Sequence, residues 1–289
     1  MRGLIVKGIG GFYFVKAGDE IYRAKGRGNF KKSNITLTVG DEVELNLSQD
    51  GESDSVIENI YPRRNIFVRP AISNVDQVIV VTALSEPKPS LEIIDRMLVN
   101  AEVNDIEPML CITKPDLASE PELKKLLEIY SPIYKCFVVN GLNGEGINEL
   151  ASVLRDKKTA LMGPSGVGKS TITNLLSPQA LMETGYISEK TRRGKHTTRH
   201  VEIFSCHGGY IFDTPGFTSL FTDGIELENL PKLFPEFAEL RHMCRFDNCM
   251  HISEPNCEIR KALDDNSISK SRYLSYINMV DEIKKKKKF

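Results

Sequence analysis

The feature that most constrains this chain is a glycine-rich segment at residues 163–171, which reads Gly-Pro-Ser-Gly-Val-Gly-Lys-Ser-Thr. It has the Gly-x-x-x-x-Gly-Lys-Ser spacing of a phosphate-binding loop. The apolar run at 159–162 predicts a buried strand before the loop, and residues 169–176 predict a helix after it. In that setting, backbone N–H groups and the positive helix end hold phosphate oxygens. The chain is therefore predicted to bind a nucleoside triphosphate, and a plain glycine-rich turn is the alternative.

The residues of this loop have separate predicted roles. Lys169 is expected to reach the β- and γ-phosphates, and the Ser170 hydroxyl is expected to ligate Mg²⁺. The predicted nucleotide-binding residues of the segment are Gly163, Pro164, Ser165, Gly166, Val167, Gly168, Lys169, Ser170 and Thr171.

The length and composition indicate an ordinary globular protein. A chain of 289 residues is long enough for two or three domains. Hydrophobic residues make up 40% of the chain and charged residues 27%, a composition that argues against disorder of the whole chain. No signal peptide is visible, and the longest apolar runs, such as 78–83, are too short to span a bilayer. We therefore expect a cytoplasmic protein that has no membrane partner. We also expect it to be a monomer.

Residues 1–66 contain short alternating segments separated by Gly and Asn. Five of them are predicted strands of a small barrel of the oligonucleotide-binding (OB) type: 4–6, 12–15, 21–23, 36–39 and 43–45. Basic residues gather on one loop around Phe30, and they are candidate RNA contacts: Lys25, Arg27, Lys31 and Lys32. A solvated basic loop without a partner is the alternative.

From residue 75 onwards, predicted strands and helices alternate. The strands are 77–84, 109–113 and 134–139, and the helices are 91–103, 122–130 and 145–154. This alternation predicts a mostly parallel sheet with helices on both faces, an α/β P-loop core. Residues 201–205 and 210–212 form a predicted hairpin that is expected to add one antiparallel edge strand.

Two further motifs fit a GTPase. Asp213 begins an Asp-x-x-Gly motif in which Asp213 is expected to hold the Mg²⁺ shell and the Gly216 N–H to meet the γ-phosphate. Thr113-Lys114-Pro115-Asp116 resembles the Asn-Lys-x-Asp guanine motif, with Thr113 in place of Asn. Asp116 is expected to accept two hydrogen bonds from guanine that adenine cannot donate in the same way. Asn140-Gly141 departs from the Ser-Ala expected at the second guanine-contacting loop.

The order of the motifs is unusual. In ordinary small GTPases the phosphate loop comes first and the guanine motif last. Here the guanine motif precedes the phosphate loop by about fifty residues, so the nucleotide domain is predicted to be circularly permuted. A permutation of this kind is tolerated where the original termini lie close together and the new ones fall in a surface loop.

The C-terminal part of the chain carries a clustered set of metal-ligand residues. Cys244, Cys249, His251 and Cys257 provide three thiolates and one imidazole, the donors of a structural tetrahedral zinc site. The alternative is a chance cluster. Helices are predicted at 227–240 and 259–279, and the lysine run at 284–288 is expected to be a solvated disordered end. The remaining cysteines, Cys111, Cys136 and Cys206, are expected to be structural thiols.

Together these features resemble the RsgA (YjeQ) family of bacterial GTPases that depend on the small ribosomal subunit. The resemblance covers nearly the whole chain and includes the segment Arg193-Gly194-Lys195-His196-Thr197-Thr198. It implies slow GTP hydrolysis that the 30S subunit stimulates, in late maturation of that subunit, with GTP, GDP, the 30S subunit and 16S rRNA as partners. The expected domains are an OB-like RNA-binding barrel at 1–66, a circularly permuted GTPase domain at 67–224, and a zinc-binding helical domain with a basic tail at 225–289.

Two other classes of function are compatible with parts of the sequence. A P-loop ATPase or small-molecule kinase would leave Asp116 without a role. An RNA-binding assembly protein could use the nucleotide purely as a conformational ligand, although Lys169, Ser170 and Asp213 favour turnover.

The catalytic group is expected in the segment before the hairpin. Phe217 stands where Ras-type GTPases place a water-orienting Gln, and an apolar side chain cannot position water. His196 is the candidate, and the family resemblance points the same way. The alternative is that His196 contacts phosphate or RNA. Thr198, or else Thr197, is expected to supply a hydroxyl to Mg²⁺.

Replacement of His196 by Ala is expected to lower ribosome-stimulated turnover and to leave GTP affinity nearly unchanged, because a general base or water-orienting group acts on the chemical step. Stimulated hydrolysis and equilibrium GTP binding check this. Unaltered turnover in H196A would remove His196 from the mechanism.

Overall fold

The computed structural model of the chain describes residues 1–28, 30, 35–48, 54–68, 70–177, 201–213 and 224–286. The strands in these residues are β1 (Arg2–Ile9), β2 (Phe12–Ala17), β3 (Glu20–Gly26), β4 (Glu42–Asn46), β5 (Ser55–Ile60), β6 (Ile66–Val68), β7 (Ala71–Ser73), β8 (Gln77–Ala83), β9 (Glu107–Thr113), β10 (Cys136–Val139), β11 (Lys158–Met162), β12 (Glu202–Cys206) and β13 (Gly209–Asp213). The helices are α1 (Leu91–Val103), α2 (Glu120–Tyr130), α3 (Ile147–Ser152), α4 (Lys169–Leu176), α5 (Glu258–Asp264) and α6 (Lys270–Lys286).

The first five strands close into a barrel. β1 pairs with both β2 and β4, β2 pairs with β3, and β5 joins β3 to β4. Alternate side chains point inward, and Ile5, Val15, Ala24, Val43 and Ile57 are fully buried. The predicted OB-type barrel is therefore confirmed, because a closed sheet buries its inner face and leaves no open edge.

One predicted barrel strand is wrong. Residues 36–39 form no strand, and β5 supplies the fifth strand instead. The cause is the buried carboxylate of Asp41, which accepts the Thr38 N–H at 2.8 Å, the Ser73 hydroxyl at 2.7 Å and the Arg63 guanidinium at 2.7 Å. The chain bends around this group, so its backbone bonds cannot continue a ladder.

The central sheet has the strand order β10-β9-β8-β11-β13-β12, and its first five strands are parallel. Helices α1 and α2 pack on one face of this sheet, and α3 and α4 pack on the other. The predicted mostly parallel sheet is thus confirmed. The helix limits of α1 and α4 agree with the predicted ones, and Ser90 caps α1 by accepting the Ile93 N–H.

The predicted hairpin is present, but its outer strand is not an edge. β12 pairs antiparallel with β13 and also with β1 of the barrel, at the register Lys7↔Glu202. The barrel and the central sheet therefore form one continuous eleven-stranded sheet. The barrel covers hydrogen-bonding groups of β12 that an edge strand would expose.

The C-terminal part differs from the predicted pair of long helices. The predicted helix 227–240 is a series of short 3₁₀ turns, because Pro231 and Pro235 cannot donate the hydrogen bonds of an α-helix. The predicted helix 259–279 is divided into α5 and α6 by residues 265–269. Helix α6 continues to Lys286, so this part of the expected disordered end is helical. In the part of the chain that the structure describes, none of the helices has the length and hydrophobicity of a membrane span.

A buried charged network joins α6 to helices α1 and α2, which pack on the central sheet. The Arg272 side chain is fully buried and donates to Asp95 of α1 at 2.8 Å and to Glu236 at 2.8 Å. Tyr130 of α2 donates to the same Asp95 at 2.9 Å, and the Phe234 ring lies 4.8 Å from the guanidinium. A buried charge is tolerated when partners surround it in this way.

Replacement of Arg272 by Met is expected to lower the free energy of unfolding by about 3–5 kcal/mol, because Asp95 and Glu236 lose their cation inside the protein. Urea unfolding of purified protein measures this change. Lys261→Met removes an exposed pair with Glu258 and is expected to change stability little. Equal stability of R272M and K261M would contradict the proposed importance of the network.

Candidate functional site

The phosphate loop lies between β11 and α4, at the carboxyl edge of the parallel strands. Gly168 has φ of 96° at the start of α4, a backbone conformation that residues other than glycine rarely adopt. The Lys169 ammonium folds back over the loop and donates to the carbonyls of Gly163 at 2.7 Å and Pro164 at 2.8 Å. Ser170 and Thr171 are exposed in the first turn of α4. The loop therefore has backbone N–H groups, a cation and hydroxyls at one helix end.

Asp213 ends β13, which is the strand next to β11. Its carboxylate is half-buried. Burial and the neighbouring Glu202 charge raise the pKa of Asp213, and the Lys169 charge opposes that rise. Burial also lowers the pKa of Lys169, and Asp213 opposes that fall. Ser170 lies at the start of the helix that follows β11, and Asp213 lies at the end of the neighbouring β13. Their hydroxyl and carboxylate oxygens are ligands of the kind that Mg²⁺ prefers.

A cavity of about 250 Å³ adjoins the phosphate loop. It is lined by the ends of β9 and β10 together with the start of α4: Thr113, Lys114, Asp116, Leu117, Val139, Gly141, Leu142, Gly168, Thr171 and Ile172. The Asp116 carboxylate is exposed at this cavity. Leu117 and Leu142 are 48% and 84% exposed, so their apolar surface is available to a flat ring. The predicted guanine motif and the phosphate loop therefore share one cavity.

Thr113 has a structural contact that the sequence did not reveal. Its side chain is buried, and its hydroxyl donates to the Val167 carbonyl of the phosphate loop at 2.6 Å. The hydroxyl oxygen also lies 3.2 Å from the Thr82 carbonyl. This bond holds the end of β9 against the phosphate loop, so Thr113 joins the two predicted motifs.

The loop after β10 explains the departure at Asn140-Gly141. The Asn140 side chain accepts the Leu142 N–H at 2.9 Å, which forms a tight turn. Gly141 lies against α4, where an added Cβ would be 2.8 Å from Thr171 Cγ2. Sequence reasoning missed Leu117 and Leu142 as lining residues, because exposure of an apolar side chain is invisible in a sequence. The signal in the sequence is an apolar residue directly after each predicted guanine-contacting segment: Leu117 follows Asp116, and Leu142 follows Gly141.

The four predicted metal ligands are brought together. Their donor atoms all lie within 4.8 Å of one another, with His251 Nδ1 at 3.6 Å from Cys244 Sγ and at 3.3 Å from Cys257 Sγ. Cys249, His251 and Cys257 are buried. The Tyr273 hydroxyl donates to the His251 carbonyl at 2.7 Å and orients that segment. Three sulfurs and one imidazole in this arrangement could hold a four-coordinate metal ion.

Several predicted site residues lie outside the described residues: Lys31, Lys32, His196, Thr197, Thr198 and Gly216. The two described candidates for RNA contact have acidic partners on the barrel. Lys25 pairs with Asp54 at 3.0 Å, and Arg27 pairs with Glu58 at 2.6 Å. Both cations are largely exposed, so their charges remain accessible from solvent.

Comparison with family models gives two matches along the chain. The model described as RsgA GTPase matches residues 60–222, and the model described as RsgA N-terminal domain matches residues 2–54.

Relatives and solved structures agree with these matches. The chain is 44% identical to the small ribosomal subunit biogenesis GTPase RsgA of Caldanaerobacter subterraneus over 100% of this chain and 97% of that protein. It is 45% identical to the protein of the same name from Carboxydothermus hydrogenoformans, with 98% of each covered. YjeQ from Thermotoga maritima has a TM-score of 0.83 at 36% identity, with 97% of each chain covered. YloQ, described as a circularly permuted GTPase, has a TM-score of 0.81 at 34% identity, over 99% of this chain and 95% of that one.

Replacement of Cys257 by Ser is expected to lower the amount of bound metal and to destabilise the C-terminal helices, because a four-ligand site loses one thiolate. Metal content per chain and thermal unfolding measure these effects. Cys136→Ser changes a half-buried thiol outside the cluster and is expected to retain the metal. Equal metal content in C257S and C136S would contradict a site at this cluster.

Proposed function

The chain belongs to the RsgA GTPase family, and on that premise we propose that it hydrolyses GTP to GDP and phosphate in late maturation of the 30S ribosomal subunit. The observation that carries this proposal is the shared cavity at the carboxyl edge of the sheet, where Asp116 and the phosphate loop meet. A nucleotide can lie there with its base at β9 and its phosphates at α4. Stimulation by the 30S subunit is part of the proposal.

The guanine base is proposed to lie between the two exposed leucines of the cavity. Asp116 accepts hydrogen bonds from the guanine N1–H and 2-amino group, and Leu117 and Leu142 contact the faces of the ring. Thr113 supports the base indirectly, because its hydroxyl is occupied by the Val167 carbonyl. Lys114 and Pro115 shape the turn that presents Asp116.

The phosphates are proposed to displace the carbonyl contacts of Lys169. The Lys169 ammonium then binds the β- and γ-phosphates, and the N–H groups of 163–171 contact their oxygens. Ser170, Asp213 and Thr198 hold Mg²⁺, which neutralises charge on the β- and γ-phosphate oxygens when bound. Gly216 contacts the γ-phosphate, and His196 positions the attacking water. The position of Asp213 at the end of β13, the strand that pairs with β11 before the phosphate loop, supports this assignment.

The metal of the C-terminal cluster is proposed to be one structural zinc ion. Three cysteines and one histidine fill all four positions, and sulfur-rich donor sets favour zinc among the common divalent ions. Because no position is left open for water, the ion stabilises the fold and takes no part in hydrolysis.

The ribosomal contact is proposed to be with 16S rRNA. Lys25, Arg27, Lys31 and Lys32 offer positive charge on the barrel, which suits a phosphate backbone without sequence readout. The working division of the chain is a barrel at 1–66, a GTPase domain at 67–224 and a metal-binding domain at 225–289. The protein is proposed to act as a monomer.

Asp116→Ala is expected to weaken GTP binding by at least about a hundredfold and to leave ATP binding unchanged. The variant lacks the carboxylate that accepts the paired guanine hydrogen bonds, so the site no longer discriminates between guanine and adenine. Competition by GTP, GDP and ATP measures the specificity. Single-turnover hydrolysis with and without 30S subunits measures the function.

The matched control for this experiment is Asp264→Ala, which removes an exposed carboxylate on α5 and is expected to behave like wild type. Equal competition by ATP and GTP in the wild-type protein would overturn guanine specificity. Hydrolysis that 30S subunits do not accelerate would overturn the ribosomal part of the proposal.

A further inference from the structure

We propose that Lys7, a barrel residue, is a positioning residue for GTP binding and hydrolysis: it pairs with Glu202 and compensates the carboxylate that lies directly opposite Asp213. The inference rests on the proposed nucleotide site, in which Asp213 holds the Mg²⁺ shell. We refer to Lys7, Glu202 and Asp213 as the charge row.

The charge row follows from the strand registers. Lys7 of β1 lies opposite Glu202 of β12, and Glu202 lies opposite Asp213 of β13. Residues directly opposite each other in antiparallel strands project from the same face, with Cβ atoms about 4.5–5.5 Å apart. The three side chains therefore stand side by side across three strands, from the barrel to the nucleotide site.

The contact between Lys7 and Glu202 is short and partly shielded from water. Lys7 Nζ lies 2.8 Å from Glu202 Oε2, and the two side chains are 14% and 23% exposed. Water and salt screen the attraction between the two charges less at this depth than at the open surface. The pair therefore holds the Glu202 carboxylate toward the barrel.

Without Lys7, Glu202 would be an uncompensated carboxylate beside Asp213. Like charges directly opposite across strands are unfavourable. The triphosphate adds more negative charge at the same end of the sheet, and Lys169 is the cation shared between Asp213 and the phosphates. An unpaired Glu202 therefore adds to the negative charge that the phosphates meet at this end of the sheet. Lys7 offsets part of this repulsion, although it belongs to a different part of the fold.

The consequence is that the Glu202 charge beside the nucleotide site is compensated when β1 of the barrel is paired with β12. A ligand that changes how the barrel sits therefore changes GTP affinity, and GTP changes the affinity for that ligand by the same factor. The barrel thereby has a direct electrostatic connection to the nucleotide, in addition to any role in binding a partner.

A second ion pair across the same junction provides a control. Lys158 of β11 donates to Glu42 of β4 at 2.8 Å and is 13% exposed, much like Lys7. Its register partner on β13 is Tyr210, three residues before Asp213, so Lys158 is outside the charge row. Removing it weakens the junction without exposing a carboxylate next to Asp213.

The test measures equilibrium binding of a fluorescent GTP analogue, with and without added Mg²⁺ in metal-depleted buffer that contains no chelator, together with kcat/KM for GTP. Lys7→Met is expected to weaken binding about tenfold under both conditions, since the unpaired carboxylate repels phosphates with or without the cation. Lys7→Arg and Lys158→Met are expected to bind like wild type. The double variant K7M/E202Q is expected to recover affinity to within about twofold of wild type, because it also lacks the negative charge of Glu202.

Each outcome decides between explanations. Wild-type affinity in K7M would overturn the inference while leaving the proposed function intact. An equally large loss in K7M and K7M/E202Q, or in K158M, would show that the barrel contact acts as a plain tether, which also overturns it. A wild-type protein that neither binds nor hydrolyses GTP would overturn the proposed function and this inference together.

Discussion

The parallel pairing of β8 with β11 is the contact on which the nucleotide site depends. It joins one half of the sheet, β8-β9-β10, to the other half, β11-β13-β12. The first half carries Thr113 and Asp116, and the second half carries the phosphate loop and Asp213. Because parallel strands end at the same edge, this pairing brings the motifs together whatever their order in the chain. Circular permutation therefore leaves the site intact, and the Thr113 hydroxyl bond to Val167 ties the halves at the edge.

The C-terminal helices and the barrel are attached to the central part of the fold by contacts of different physical character. Arg272 is fully buried with two carboxylates and three aromatic rings around it, so the C-terminal helices cannot separate without exposing a charged core. The barrel is attached by β1–β12 pairing and by ion pairs that are partly exposed. Side-chain hydrogen bonds from Lys158 and Arg2 lower the pKa of Glu42 to about 2. That contact is fully stabilising above about pH 4.5 and is lost as the pH falls through about 2.

Much of the fold was predictable because local patterns agree with the final packing. Helix α1 has a serine cap and an apolar stripe, and α4 follows the phosphate loop directly, so both were predicted at their observed limits. Local sequence patterns give wrong predictions where contacts with residues distant in sequence determine the backbone conformation. Asp41 and its partners prevent the strand that the pattern of 36–39 predicts. Strand β5 forms where no strand is predicted, with its buried residues alternating along the strand.

The sequence by itself determined which candidate groups are present. The phosphate-loop motif, the guanine-type motif, Asp213 and the Cys/His set can be recognised because their spacing along one chain encodes them. The tertiary structure alone decided what surrounds these groups. Leu117 and Leu142 become cavity walls, β12 becomes an interior strand, and Lys7 comes to face Glu202 across 195 residues of sequence. The physical reason is that cross-strand registers and long-range ion pairs arise from packing between segments, and no periodicity within either segment records the partner.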